Sequence, residues 1–241
     1  MGLDTPPAAR SGLAILWDVI VAPKTAFAAL RDRTHWGWAF LATSILGTIG
    51  AVLQIPAGEH VVAATFAHRA ATDPQMQSLS PEKQHQALQF AIATQHYAWL
   101  ALPVIVMVAI LIAASVFALA NFIGKGGSTF GRLFGLAANV SIVGYGIGYL
   151  LVGLLAARIG PDTISSPRDL LSLLPSLARL APENAPKLAA FLAAINPFQI
   201  WTCVLIVIGL KTMTRLAAPY AYATAIVVAF GSGAIAALFA R

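Results

Sequence analysis

The chain has 241 residues, of which 59% are hydrophobic and only 10% charged, with a mean hydropathy of +0.78. Soluble domains carry roughly a quarter charged residues, so composition excludes an ordinary water-soluble domain and points to an integral membrane protein. The net charge of +6 does not indicate nucleic acid, because no dense basic cluster occurs and bases flanking membrane spans account for the excess.

The first ten residues are polar and hold Pro and Ala, and Asp18 interrupts the apolar residues that follow, so no signal-peptide pattern opens the chain. Residues 1–35 are expected to form a cytoplasmic, interfacial helical segment. Leu13, Leu16, Trp17 and Ile20 share one helical face; Pro23 interrupts it and can start a second short helix carrying Phe27 and Leu30. A helix buried against the bundle is the alternative.

Residues 36–241 contain five apolar runs near the roughly 20 residues that cross a bilayer as a helix: Trp36–Pro56, Tyr97–Ile123, Phe130–Ala157, Pro197–Leu216 and Tyr220–Ala240. The expected fold is therefore all-α and polytopic, with five transmembrane helices, an N-terminal amphipathic helix and two long helical outer loops. Lys211 and Arg215 sit near the end of the fourth run, where their stems can snorkel to the interface.

The connections differ in length. Gly124–Thr129 and Ala217–Pro219 are short, whereas Ala57–His96 and Arg158–Asn196 are long. In the long ones, Ser80-Pro81 and Ser166-Pro167 read as an N-cap followed by proline at the first helical position, and Asp169 completes a capping-box spacing. Leu170, Leu171, Leu173, Leu174 and Leu177 form an apolar face that Pro175 should break, and Leu188, Phe191, Leu192 and Ile195 follow amphipathic helix spacing. These segments either pack on their own spans or face lipid or a ligand as a lid.

Basic residues set the orientation. With the N-terminus inside, the inner segments hold Arg10, Lys24, Arg31, Arg33, Lys125, Arg132, Lys211 and Arg215 against only Asp4, Asp18 and Asp32, while the outer segments are nearly balanced. The positive-inside rule then places the N-terminus in the cytoplasm and the C-terminus outside; the membrane expected is a bacterial inner membrane.

The turn Gly124-Lys125-Gly126-Gly127-Ser128-Thr129 looks at first like a phosphate cradle. The phosphate-loop motif requires Ser or Thr after the lysine and a glycine five residues before Gly124; here Gly126 and Leu119 stand there, after a membrane helix rather than a strand. A glycine-assisted chain reversal capped by Ser128 or Thr129 is the better reading.

Little in the sequence suggests chemistry, and neither a cofactor nor a bound metal is expected. His60, His68, His85 and His96 fall in the first outer loop with Glu59 and Glu82, without metal-site spacing. The polar residues at mid-span are Gln54, Ser115, Asn139, Ser141 and Thr202, with no ionised group among them. Asn139 should hydrogen-bond to a neighbouring helix. Gly131 with Gly135 and Gly144 with Gly148 lie four apart on the third span, the spacing of closely packed helices. Packing inside the protomer is the first reading and a homo-oligomer contact the second; Gly231 and Gly233 suggest a similar role in the fifth span. Cys203 reads as a small buried apolar residue.

Four stretches carry a resemblance. Pro23-Lys24-Thr25-Ala26-Phe27-Ala28-Ala29-Leu30 resembles the opening of bacterial members of the Yip (Ypt-interacting protein) family. The turn Gly124–Phe130 is similar to that family's glycine-rich turn before its third span. Asn196–Trp201 through Gly209-Leu210, and Ala221–Ala223, are similar to its fourth and fifth spans. The resemblance implies a five-span membrane protein without known catalysis and with its C-terminus outside. Eukaryotic relatives associate with Rab GTPases, but the segment before the first span is shorter here, so that partner is not carried over.

The expected function is a non-enzymatic membrane scaffold or adaptor that engages a protein partner or anionic lipid through Lys24, Phe27, Arg31, Lys125, Arg132, Lys211 and Arg215. A conduit or scramblase for lipids or small apolar molecules is the alternative, and an intramembrane enzyme the third reading.

Overall fold

The computed structural model describes residues 11–32, 34–182 and 184–239. Asp4, Arg10 and Arg33, counted above among the inner charges, and Ala240, the expected end of the fifth span, lie outside the described residues, as do the side chains of Asp32 and Leu171. The described residues are helical and contain no strand. The protein is a polytopic, all-helical membrane protein.

Helices α1 (Gly12–Val21) and α2 (Pro23–Asp32) precede the first span. The Ser11 hydroxyl caps α1 by accepting from the Ala14 N–H at 3.3 Å, and Pro23, which lacks an N–H, fits the first position of α2. Both helices enter the main core: Ile15, Leu16 and Val19 of α1 and Ala26, Phe27 and Leu30 of α2 are buried there. The face expected at the interface is thus split, because α1 is apolar on both sides. Leu16 points into the bundle, while Leu13, Trp17 and Val21 stay exposed on the opposite side.

The first span is bent. Helix α3 (Gly37–Leu53) gives way at Gln54 to α4 (Ile55–Thr72), with 53° between them. A straight helix would drive the Pro56 ring into the carbonyl of Val52. The Gln54 side chain eases the break by donating from Nε2 to the Gly50 carbonyl at 3.0 Å. Helix α4 returns through α5 (Pro74–Gln77) to α6 (Pro81–Tyr97), forming an outer hairpin.

Helix α6 continues through one tight turn, Ala98–Ala101, into α7 (Leu102–Ile123), so a 43-residue helical column runs from Pro81 to Ile123. At 1.5 Å per residue it is about 65 Å long, roughly twice the hydrocarbon thickness. Only its apolar α7 half can lie in lipid, and α6 has no buried residue.

The third span is one 30-residue run, Phe130–Ile159, made of α8 (Phe130–Ser141), a π-helical segment (Ile142–Gly148) and α9 (Tyr149–Ile159). The second outer segment holds α10 (Pro167–Ser172), closed by the capping box of Ser166 and Asp169, and α11 (Pro186–Ala193). Helix α11 meets α12 (Pro197–Met213) at 51°, and α13 (Ala218–Phe239) ends the described chain. The second, third and fifth spans are each long and apolar enough to cross a membrane; the first and fourth qualify when each bent pair counts as one span.

One core runs through the bundle, with side chains from α1, α2, α3, α7, α8, the π segment, α12 and α13. A smaller cluster of Ala57, Val61, Ala156 and Ile164, with Leu170 and Leu173 against it, ties the two outer segments together.

Candidate functional site

The two short connections meet at one end of the bundle. The Arg215 N–H, between α12 and α13, donates to the Gly126 carbonyl in the glycine-rich turn at 2.8 Å. Within that turn, Asn121 clasps Ser128: its Nδ2 donates to the Ser128 carbonyl at 3.0 Å, and its Oδ1 accepts from the Ser128 N–H at 3.2 Å. Lys125 and Gly127 take positive φ values of 52° and 71°, the left-handed region that lets the chain reverse. A Cβ at Gly124 or Gly126 would collide with Leu216, and at Gly126 also with the Asn121 oxygen. The glycines are therefore where they are so that the two turns can dock. The Gly124, Gly126 and Ser128 amides are used within the protein, which leaves them unavailable to a phosphate.

The docked turns and the helix ends beside them carry Lys125, Arg132, Lys211 and Arg215, and α2, which carries Lys24 and Arg31, packs on α12 and α8. Arg132 is half-buried and the other five are exposed. Lys211 places its Nζ 6.0 Å from the centre of the Tyr222 ring, at the outer reach of a cation–π contact. Among the described residues, Lys24, Lys125, Arg132, Lys211 and Arg215 form no bridge to a carboxylate.

Phe27 does not belong to this surface. It is 0% exposed, within the main core, so it anchors α2 to the bundle and offers nothing to a partner. Amphipathic spacing alone does not distinguish a face against lipid from a face against other helices.

The third-span glycines also need correction. Gly131 is exposed and nothing in the protomer lies within 4 Å of a Cβ built on it, so it makes no close helix contact within the protomer; the space at Gly231 is likewise open. Gly144 and Gly148 face Gln199 and Phe198 of α12 at ordinary distances of 3.5 and 3.7 Å, and Gly135 faces Thr34 at 3.6 Å. The tight crossing is between the first and third spans: a Cβ at Gly47 would strike the Tyr145 carbonyl, and Gly50 lies backbone-to-backbone against Tyr149 and Gly153. Gly47 and Gly50 are three apart, so a spacing of four does not mark them. In the fifth span, Gly233 makes room for Ala194.

Asn139 is fully buried, and its Nδ2 donates to the Gly135 carbonyl at 2.8 Å and to the His35 carbonyl at 3.2 Å. It thus fixes the link between α2 and the first span to the third span. In the hairpin of α4 and α6, His96 Nδ1 lies 2.7 Å from Glu59 Oε1, joining the two helices. Among the described residues no three His, Cys, Asp or Glu side chains converge as metal ligands would.

Beside the π segment lies a cavity of about 80 Å³ between α7, α8, α12 and α13, with Ser141, Tyr145, Gln199 and Thr202 as its polar lining. Gln199 is not among the mid-span polar residues named from the sequence, although a glutamine one turn into an apolar span is the signal that marks it.

With the helical order, the stitched turns and the bent first span in view, the sequence matches the Yip1 domain over residues 17–239, nearly the whole chain. The chain belongs to the Yip1 family. The match begins inside α1 and ends at the last residue of α13, so the second half of α1 and every later helix fall within the Yip1 domain. No curated protein and no solved structure matches the chain.

Proposed function

We propose that this Yip1-family protein is a non-enzymatic membrane adaptor whose basic end, on the cytoplasmic side, engages an acidic protein partner or anionic lipid. One observation carries the reading. Exposed cations from three separate parts of the chain, Lys24, Lys125, Lys211 and Arg215, gather at one end without a carboxylate partner among the described residues. Unpaired like charges repel one another, and an anionic surface relieves that repulsion at about 1 kcal/mol per Lys or Arg near a membrane. Docked turns hold these charges in fixed relation, which suits recognition better than a mobile tail would. A C-terminus outside follows from this orientation and an odd number of crossings.

The conduit reading has less support. The cavity beside the π segment, at about 80 Å³, has room for two or three waters and none for a lipid headgroup, and the larger hollow of about 210 Å³ between α7 and α13 is lined mainly by apolar side chains. The test is capture of partners and lipids from native membranes with wild type and with Lys24, Lys125 and Lys211 all changed to Glu. The adaptor reading expects an acidic protein or anionic lipid to be lost from the variant; an unchanged set refutes it. Accelerated lipid flipping in liposomes would instead favour the conduit.

A further inference from the structure

The threonines of this chain provide a built-in comparison. Thr72, Thr94, Thr212, Thr214 and Thr224 each donate their hydroxyl to the carbonyl four residues earlier, at 2.6–2.8 Å. This is the usual way for a helical threonine to satisfy itself in an apolar setting. Thr202, in the middle of α12, does not: its Oγ1 is buried and has no partner. Thr202 lines the cavity beside the π segment.

Its neighbour one turn earlier is also half-satisfied. Gln199 donates from Nε2 to the Ala229 carbonyl at 2.9 Å, which holds the amide in place, while its Oε1 has no donor among the described residues. Opposite it stands Gly144 of the π segment, and a Cβ there would come within 3.5 Å of that oxygen. The missing side chain leaves the oxygen open to the cavity. Ser141, on the same wall, donates to the Ala138 carbonyl at 2.7 Å and retains lone pairs. π-helical turns within α-helices recur at functional sites, where they shift one wall out of register.

A buried hydroxyl without a partner, beside an amide oxygen without a donor, strongly disfavours an empty space in lipid surroundings. Apolar cavities stay dry, whereas polar ones with two or more partners hold water, and about 80 Å³ gives room for two or three molecules. No Asp, Glu, Lys, Arg or His lines the space, so nothing there would compensate an ion. We propose that this cavity is a binding site for small uncharged molecules that both donate and accept hydrogen bonds, water being the occupant that the medium supplies. Thr202, Gln199 and Ser141 are the residues that hold them.

Hydroxyl-radical footprinting of the full chain in nanodiscs, with radicals generated from water in place, reads this directly. Phe117 lines the cavity and is 1% exposed, and Phe27 is 0% exposed in the packed core. Severalfold stronger labelling at Phe117 is expected, and its loss in Ala113→Leu, which fills the space. The melting temperature of Thr202→Val supplies a second readout. It should fall by about 2–4 °C if the hydroxyl binds an occupant, with Thr202→Ser close to wild type. Acetamide then separates the sources: a rise in wild type beyond that in Thr202→Val assigns the site to organic solutes as well, and no such difference assigns it to water alone. Phe117 as silent as Phe27, together with a melting temperature that rises in Thr202→Val, would mean a dry cavity and overturn the proposal.

Discussion

The two ends of the molecule are built on different principles. At one end, connections of a few residues are stitched to each other by the Arg215–Gly126 hydrogen bond, near α2, whose Phe27 and Leu30 belong to the main core. At the other end, long segments fold into helices, held by a cluster of four small and medium apolar side chains and by single polar contacts such as His96 with Glu59. Short loops must dock closely to close the bundle, so they rely on glycine. Long loops can cap and pack their own helices, so they rely on Ser, Asp and Pro. The difference implies that the end with the docked turns is the less tolerant of substitution and the end with the long segments the more tolerant.

The largest expected effect lies where α2 meets the core. Phe27→Ala should destabilise by about 3–5 kcal/mol, the usual loss for a fully buried phenylalanine, measured by thermal or denaturant unfolding in detergent or nanodiscs. A loss below about 1 kcal/mol would mean that α2 is peripheral. Next comes the docked turn. Gly126→Val forces a side chain into Leu216 and the Asn121 oxygen, and overpacking of this kind should lower stability by about 1–3 kcal/mol; the same change at Gly131, where a Cβ meets nothing, should stay within about 1 kcal/mol. A smaller effect is expected from the outer pair. Glu59→Gln should lower stability by no more than about 1 kcal/mol, because both partners are partly exposed. The smallest belongs to Phe90, 76% exposed on α6, where Ala should change stability by less than about 0.5 kcal/mol. If Phe90→Ala proved as damaging as Phe27→Ala, the contrast between the ends would collapse.

Much of this was legible in the sequence. The apolar runs marked the spans, because length and hydropathy are what lipid selects. Ser80-Pro81 and the Ser166–Asp169 box marked helix starts, and both caps form as read. Pro56 was placed at the end of the first span, and the bend is there, but the helix goes on beyond it as α4. Other features left no such mark. The π segment differs from α-helix only in hydrogen-bond register, which composition does not encode, so Gly144 and Gly148 looked like packing glycines while the crossing used Gly47, Gly50 and Gly153. Phe27 has the same periodicity whether it meets lipid or protein. That the Thr202 hydroxyl lacks a partner depends on what α7 and the π segment place opposite it, which is a property of the assembled bundle.

Side-specific labelling of single cysteines in sealed membranes tests the central claim most directly. With Cys203 replaced by serine, cysteines at Lys125, Arg215 and Ser11 should all react from the cytoplasmic side, and cysteines at Ser78 and Arg179 only from the other. Lys125 and Arg215 reacting from opposite sides, or both from the outside, would contradict the shared basic end on which the adaptor reading stands.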